Sequence, residues 1–307
     1  MKVALALVLA LVVAAHSRAV AAPLCGWENN VTADGPVIWY RLNDVGTIML
    51  DNTANSNTGS YIGGSPAVTQ GVAGALVANP DTAVLLNGVA GYMTAIPGTP
   101  ATLSAPYTVE FWAKRVANAR TLFSTRSGSD QSFDIQDTGG SLHGDIGSGV
   151  AWCTTAADAA VTWPNGTWGL VDYIVTSSTW TIAFNGVQVG TGSISSCAPL
   201  LYNATHTLFI GAQPGPSALY NGTMDEFQVY NKALTVADTL RHYQAGQNTL
   251  TCWTPTPTPL VTPTPTQCLP GCCAGAVPPL MSVNCVCASG TYIPGSSWVA
   301  VTPTPPP

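Results

Sequence analysis

An all-β, antiparallel sandwich is the fold class this sequence predicts, and three observations predict it. Asn-Gly pairs at 87–88, 165–166, 185–186 and 221–222 each adjoin a β-rich run, and Asn and Gly tolerate the positive φ values that tight hairpins require. About 230 residues lie between the N-terminal apolar segment and Cys252, enough for one sandwich with a sizeable core. Alternating helical patterns are scarce over that length, which argues against an α/β fold.

The chain opens with Lys2, an apolar run from Val3 to Ala15 and then Ala19-Val20-Ala21. That is the charged start, apolar middle and small-residue cleavage site of a secretory signal, so residues 1–21 are expected to be removed and the remainder exported. No later apolar run reaches the roughly 18 residues of a membrane span. Within residues 22–252, VIWYRLND (37–44) reads as an opening strand, and DNTANSNTGSY (51–61) as an Asp- and Asn-rich loop. AVLLNGVAGYMTA (83–95) reads as a strand pair and YTVEFWAKR (107–115) as a strand. The stretch from Ser127 to Ala160 is rich in Gly and Asp and reads as loops peculiar to this protein. TWGLVDYIVTSSTWTIAFNGVQVG (167–190) reads as a long hairpin with Trp180, Ile182 and Phe184 on one face, since side chains two apart share a face of a strand. After LFIGAQPG (208–215), the segment 222–244 reads as a buried closing strand running into a helical turn.

Charge narrows the partners. Without Lys2 and Arg18 the chain keeps 7 basic against 15 acidic residues, a net of −8, and no Lys/Arg cluster could neutralise a row of phosphates. Nucleic acid and membrane insertion are therefore not expected. Nine cysteines in an exported chain point to disulfides. Cys153 and Cys197 stand alone inside the sandwich and are expected to pair. Cys268, Cys272, Cys273, Cys285 and Cys287 crowd residues 268–298, a module too short to hold together by apolar burial alone. Its odd thiol is either free or bonded to another chain.

Between sandwich and module, residues 253–267 form a Thr/Pro-rich linker, and the pattern restarts at 299–307. Alternating Pro favours polyproline II, so residues 254–266 make a semi-rigid spacer of roughly 40 Å. From His242 to the end there is no Asp, Glu, Lys or Arg. Either sugars on Thr254, Thr256, Thr258, Thr262 and Thr264 solvate this tail, or it packs into a larger assembly, or it is a plain linker. Asn-x-Ser/Thr sequons occur at Asn30, Asn165, Asn203 and Asn221.

The strand pieces from Val37 to Tyr243, in this order and with VEFWAKR, FNGV and MDEFQVYN among them, resemble the laminin-G-like branch of the concanavalin A-like lectin/glucanase jelly rolls. The resemblance implies an antiparallel jelly-roll β-sandwich with first and last strands together, which would pair Cys25 with Cys252. It implies that Trp39, Trp112, Trp168 and Trp180 are core. It also implies a structural calcium ion at Asp225, with Asp44 beside it, because calcium takes hard oxygen ligands. Relatives of this fold include glucanases, whose alternating Glu-x-Asp-x-x-Glu motif is missing here: the only glutamates are Glu28, Glu110 and Glu226. In DQSFDIQD (130–137), Asp130 and Asp134 share a face and Asp137 does not; such residues read as solvated turn formers. No enzyme is expected. For sugar stacking, Trp163 beside its Pro-Asn-Gly turn is the surface candidate, with Tyr92, Tyr202 and Tyr220 behind it. The expected protein is a secreted modular glycoprotein whose jelly roll binds a glycan or an extracellular protein; the competing reading is a structural subunit of an extracellular fibre, coat or wall, self-assembling through the tail.

Overall fold

The computed structural model describes residues 26–249, except 117–119, 128–130 and 195–196. The signal segment, the Cys25–Cys252 pair, the Thr/Pro segments and the Cys-rich module lie outside these residues. The chain begins with helix α1 (Trp27–Asp34) and strands β1 (Ile38–Tyr40), β2 (Ile48–Met49), β3 (Gly59–Ile62), β4 (Val68–Ala73), β5 (Thr82–Asn87) and β6 (Tyr92–Ala95). Next come β7 (Leu103–Ser104), β8 (Tyr107–Arg115), β9 (Thr121–Ser124), β10 (Phe133–Asp137), β11 (Ser141–Gly147), β12 (Trp152–Thr154) and β13 (Ala159–Ala160). The last elements are β14 (Trp168–Val175), β15 (Thr179–Phe184), β16 (Val187–Ser193), β17 (Leu200–Tyr202), β18 (Leu208–Ile210), β19 (Asn221–Tyr230) and helix α2 (Val236–Gly246).

The strands form two antiparallel sheets. One runs β16-β15-β14-β8-β19-β5-β4, with β1 also on β19; the other runs β12-β11-β10-β9-β18-β6-β3-β2, with β13 on β11. A third, small sheet pairs β17 with β7. The core between the two large sheets gathers Phe111, Phe123, Phe133, Tyr173, Ile182 and Phe227, with Phe123 and Phe227 ring centroids 5.0 Å apart. Trp180, Ile182 and Phe184 face it together, as the period-2 reading requires. Their hairpin closes on Asn185 and Gly186 at φ 54° and 74°, the left-handed pair of a type I′ turn.

Three sequence readings need correction. Asn221-Gly222 is no turn: it lies inside β19 opposite Asn87 and Leu86, where a Cβ on Gly222 would meet the Lys114 carbonyl at 2.5 Å and the Tyr220 ring at 2.7 Å. The two strands of 83–95 do not pair with each other, because β5 joins the first large sheet and β6 the second. Residues 127–160 are not chiefly loops; they supply β10 to β13 and a whole wing of the second sheet.

Helices α1 and α2 cover the outer side of the first sheet. Trp27 of α1 packs on Trp112 at 5.9 Å between ring centroids and Tyr243 of α2 stacks on Trp112 at 5.8 Å. Beneath them lies a buried ionic chain. His242 sits between Glu110, 2.8 Å from Nδ1, and Asp34, 3.0 Å from Nε2. Carboxylates only accept, so both ring nitrogens donate and the ring is an imidazolium. Burial alone would lower its pKa, but Glu110 and Asp34 outweigh that and hold it at about 9. Asp34 also takes Lys232 at 2.7 Å and Arg241 at 2.6 Å. Tyr230 donates to Glu110 at 2.9 Å. Asp172 lies directly opposite Glu110 in register, and burial first, then the Glu110 charge, hold it well above the ordinary carboxylate range. Trp168, expected in the core, is half-buried under Lys114, whose Nζ lies 4.9 Å from the ring.

Candidate functional site

Register places the site on the outer face of the second sheet. Asp145 is opposite Asp134, Asp134 opposite Ser124, Ser124 opposite Phe209, Phe209 opposite Thr94, Thr94 opposite Ser60 and Ser60 opposite Ile48. Directly opposed residues share a face, so these seven form one row across seven strands, roughly 29 Å long at about 4.8 Å per strand. Two positions along the same strands, Gln136 and His143 oppose each other, as do Tyr92 and Ile62, and they share that face.

One wing of this face is polar. Asp134 is fully buried, and its Oδ2 accepts from Gln213 Nε2 at 2.6 Å, Gln136 Nε2 at 3.0 Å and Arg126 Nη1 at 3.5 Å. Its Oδ1 has no hydrogen-bond partner. Burial raises its pKa to about 6 against the pull of those donors. Asp145, also mostly buried, is raised by burial in spite of His143 and Arg126. His143 stands between Asp158, 2.7 Å from Nδ1, and Asp145, 3.4 Å from Nε2. Arg126 lies over the half-buried Trp152 at 5.4 Å. Carboxylates, amides, a guanidinium and an indole on one rigid sheet can bind hydroxyls and stack against an apolar ring face.

Farther along the row, Tyr92 stacks on Phe209 at 6.3 Å, and the end of the face is apolar: Ile48 and Leu50 are each 54% exposed and Ile96 is 65% exposed.

Of the aromatics singled out from sequence, Tyr92 lies on this face, half-buried. Trp163 does not reach the surface: it packs on Phe184 at 5.2 Å and donates its indole N–H to the Thr167 carbonyl at 3.0 Å. Tyr202 and Tyr220 are fully buried as well; the bare Gly222 makes room for the Tyr220 ring. The sequon at Asn30 is closed, with the buried amide donating to the Gly26 carbonyl at 2.7 Å. Asn165 is exposed on its turn, and Asn203 and Asn221 are half-buried. Asp134, read from sequence as a solvated turn former, is instead fully buried within β10, and Gln136, His143 and Asp145 were not singled out. Their signal was period-2 polarity in FDIQD and LHGDI, masked by the Gly and Asp content around them.

The two residues expected to hold calcium are both hydrogen-bonded within the fold. β1 and β19 do pair, but Asp225 is buried, with Oδ2 accepting from the Ala75 N–H at 2.7 Å. Asp44 is occupied by the Leu50 N–H at 3.2 Å and the Tyr61 hydroxyl at 2.9 Å. Among the described residues no group of three or more His, Cys, Asp or Glu is placed to hold a metal ion, and calcium takes six to eight oxygens. A cation is already in place next door. Arg41 binds Glu28 at 2.9 Å, Asp81 at 2.5 Å and Glu226 at 3.1 Å, and it lines a cleft of about 550 Å³ with Glu28, Asn43, Asn79 and Asp81. Glu226, at φ 49° in the bulge of β19, also accepts from the Trp39 indole at 2.6 Å. The melting temperature is accordingly expected to be the same in millimolar calcium and in a chelator; a calcium-dependent rise would contradict this assignment.

Residues 87–238 match the family model of the concanavalin A-like lectin/glucanases superfamily. The sandwich belongs to that superfamily. Among solved structures, this lectin-like sandwich is similar to domain 4 of AbnA, a GH43 extracellular arabinanase from Geobacillus stearothermophilus, in complex with arabinotriose. The two are 20% identical with a TM-score of 0.50, over 68% of this chain and 98% of that one. It is also similar to the binding domain of botulinum neurotoxin DC in complex with SialylT, at 13% identity and TM-score 0.51 over 70% of this chain. The binding domain of Paraclostridial Mosquitocidal Protein 1 is similar at 15% identity and TM-score 0.51 over 69% of this chain. The match spans about half of each of these two binding domains, 52% in both cases. Identities this low speak for the fold alone. No curated protein sequence matches the chain.

Proposed function

We propose that this protein is a secreted, glycan-binding lectin-like module, with the outer face of the second sheet as the binding surface. One observation carries the reading: the row from Asp145 to Thr94 holds a buried carboxylate, Asp134, on which two amides and a guanidinium converge, with partly open aromatics on the same face. That is the mixture of directed polar groups and apolar platform that sugars require. Complexes of the arabinanase domain and the toxin domain with arabinotriose and SialylT support the class of ligand, not its identity.

The reading is of binding without hydrolysis. A retaining glycosidase needs one carboxyl held protonated and its neighbour held ionised. Here burial raises both Asp134 and Asp145, in the same direction.

A glycan array probed with the secreted protein tests the proposal. Trp152→Ala and Tyr92→Ala are each expected to weaken binding to an array-positive glycan at least tenfold with little change in melting temperature. Full-strength binding by both variants would move the site elsewhere.

The exposed Ile48, Leu50 and Ile96 favour one second reading, contact with a protein or another copy at that end of the face. Light scattering on the wild type and on Ile48→Ser/Ile96→Ser separates the two. A monomer in both would sink self-association.

A further inference from the structure

We propose, on the reading of this face as glycan-binding, that Asp134 and Asp145 form a specificity subsite for a free amino group. The ligand would then be a glycan containing de-N-acetylated hexosamine units. Two independent observations meet here. The first is charge: Asp134, Asp145 and Asp158 share the wing with Arg126 and His143, in a chain that is acidic overall with a sequence pI of 4.9. An acidic sugar would meet like charge, and a cationic one would meet its complement.

The second is unsatisfied hydrogen bonding. Oδ1 of Asp134 and Oδ1 of Asp145 are both buried without a hydrogen-bond partner, on residues directly opposite each other across β10 and β11. His143 Nε2 comes only to 3.4 Å of Asp145 Oδ1. Two unpartnered acceptors at opposed positions of one sheet face call for a donor-only group. A hydroxyl brings one proton and its own lone pairs, whereas an ammonium brings three protons, no acceptor and a charge. An N-acetylated amine would bring an amide with one proton, no charge and added bulk.

Access lies through the rim. Arg126 and His143 side chains are 34% and 31% exposed, and Asp158 is 46% exposed. The contact between Arg126 and Asp134 is the longest of the three on Oδ2, at 3.5 Å, so Arg126 is the group that swings aside.

Calorimetric titration of the intact secreted protein at neutral pH tests this with hexamers of glucosamine, N-acetylglucosamine, glucose and glucuronate. The glucosamine hexamer is expected to bind at least tenfold tighter than its N-acetylated counterpart, and the glucuronate hexamer to bind weakest. Asp145→Asn is expected to erase that preference. Glu28→Gln, which removes one charge outside the site, keeps the preference and so separates the subsite from general attraction of a polycation. Binding of a neutral or acidic hexamer as tightly as the glucosamine hexamer overturns the subsite and leaves the glycan reading standing, as does an unchanged preference in Asp145→Asn. Failure to bind any hexamer or any arrayed glycan overturns both.

Discussion

Replacing Glu110 with alanine is expected to destabilise the sandwich by about 3–5 kcal/mol, because it removes one member of a buried ion pair and leaves the other uncompensated. Glu110 is fully buried, pairs with His242 at 2.8 Å and receives the Tyr230 hydroxyl at 2.9 Å. Its loss strips the imidazolium of one of two carboxylates and orphans a phenol beneath helix α2. Glu110→Gln keeps an acceptor and is expected to cost less. The same chain fixes a pH dependence. His242 is held at about 9, so its contribution is full below its unfolded pKa of roughly 6.5 and is lost as pH rises through about 9. Burial raises Asp172, Asp225 and Glu226, so these acids too lose stability for the fold as pH climbs past their unfolded values near 4. Glu110 and Asp34 lie below the ordinary range, held down by His242 against the opposing effect of burial. Their contribution is present above about pH 4 and lost below it. Thermal melts should therefore peak between about pH 4.5 and 6.5 and decline toward pH 9. A melting temperature that is flat from pH 6 to 9 would contradict the ionic chain.

Removing the Cys153–Cys197 disulfide is expected to cost about 4 kcal/mol in the chain-entropy picture for a loop of this length. The bond joins residues 44 apart in sequence, with Cα atoms 5.4 Å apart. It ties β12, at the edge of the second sheet, to the segment between β16 and β17. Trp152 immediately precedes Cys153, so the bond also fixes the indole under Arg126. The double Ala variant should show a lower urea midpoint and weaker glycan binding together. A loss under about 1 kcal/mol would mean that packing alone holds this edge.

Much of the first sheet was legible in the sequence. YTVEFWAKR is β8 from end to end, and the hairpin at Asn185-Gly186 and the closing strand with its helix, capped by Thr235 and Asp238, follow the turn and capping chemistry of their residues. The opening strand shrank to Ile38–Tyr40 because the chain leaves the sheet at Leu42, whose φ is 61°. Helix α1 left no signal, since Gly26 offers no side-chain cap; tertiary packing of Trp27 on Trp112 makes it. The site was hidden for a different reason. Two strands whose outward positions are Asp and Gln in one and His and Asp in the other read as turns until register shows those residues on one face. Local polarity likewise suggested a surface place for Trp163, which the sheets cover.

The most direct test of the central claim is an NMR titration with an array-positive glycan, following the side-chain amides of Gln136 and Gln213 and the indole N–H of Trp152. The prediction is saturable shifts at these three and at Tyr92, with Asn43 and Asn79 in the Arg41 cleft unmoved. Shifts confined to Asn43 and Asn79, with the outer face of the second sheet silent, would contradict it.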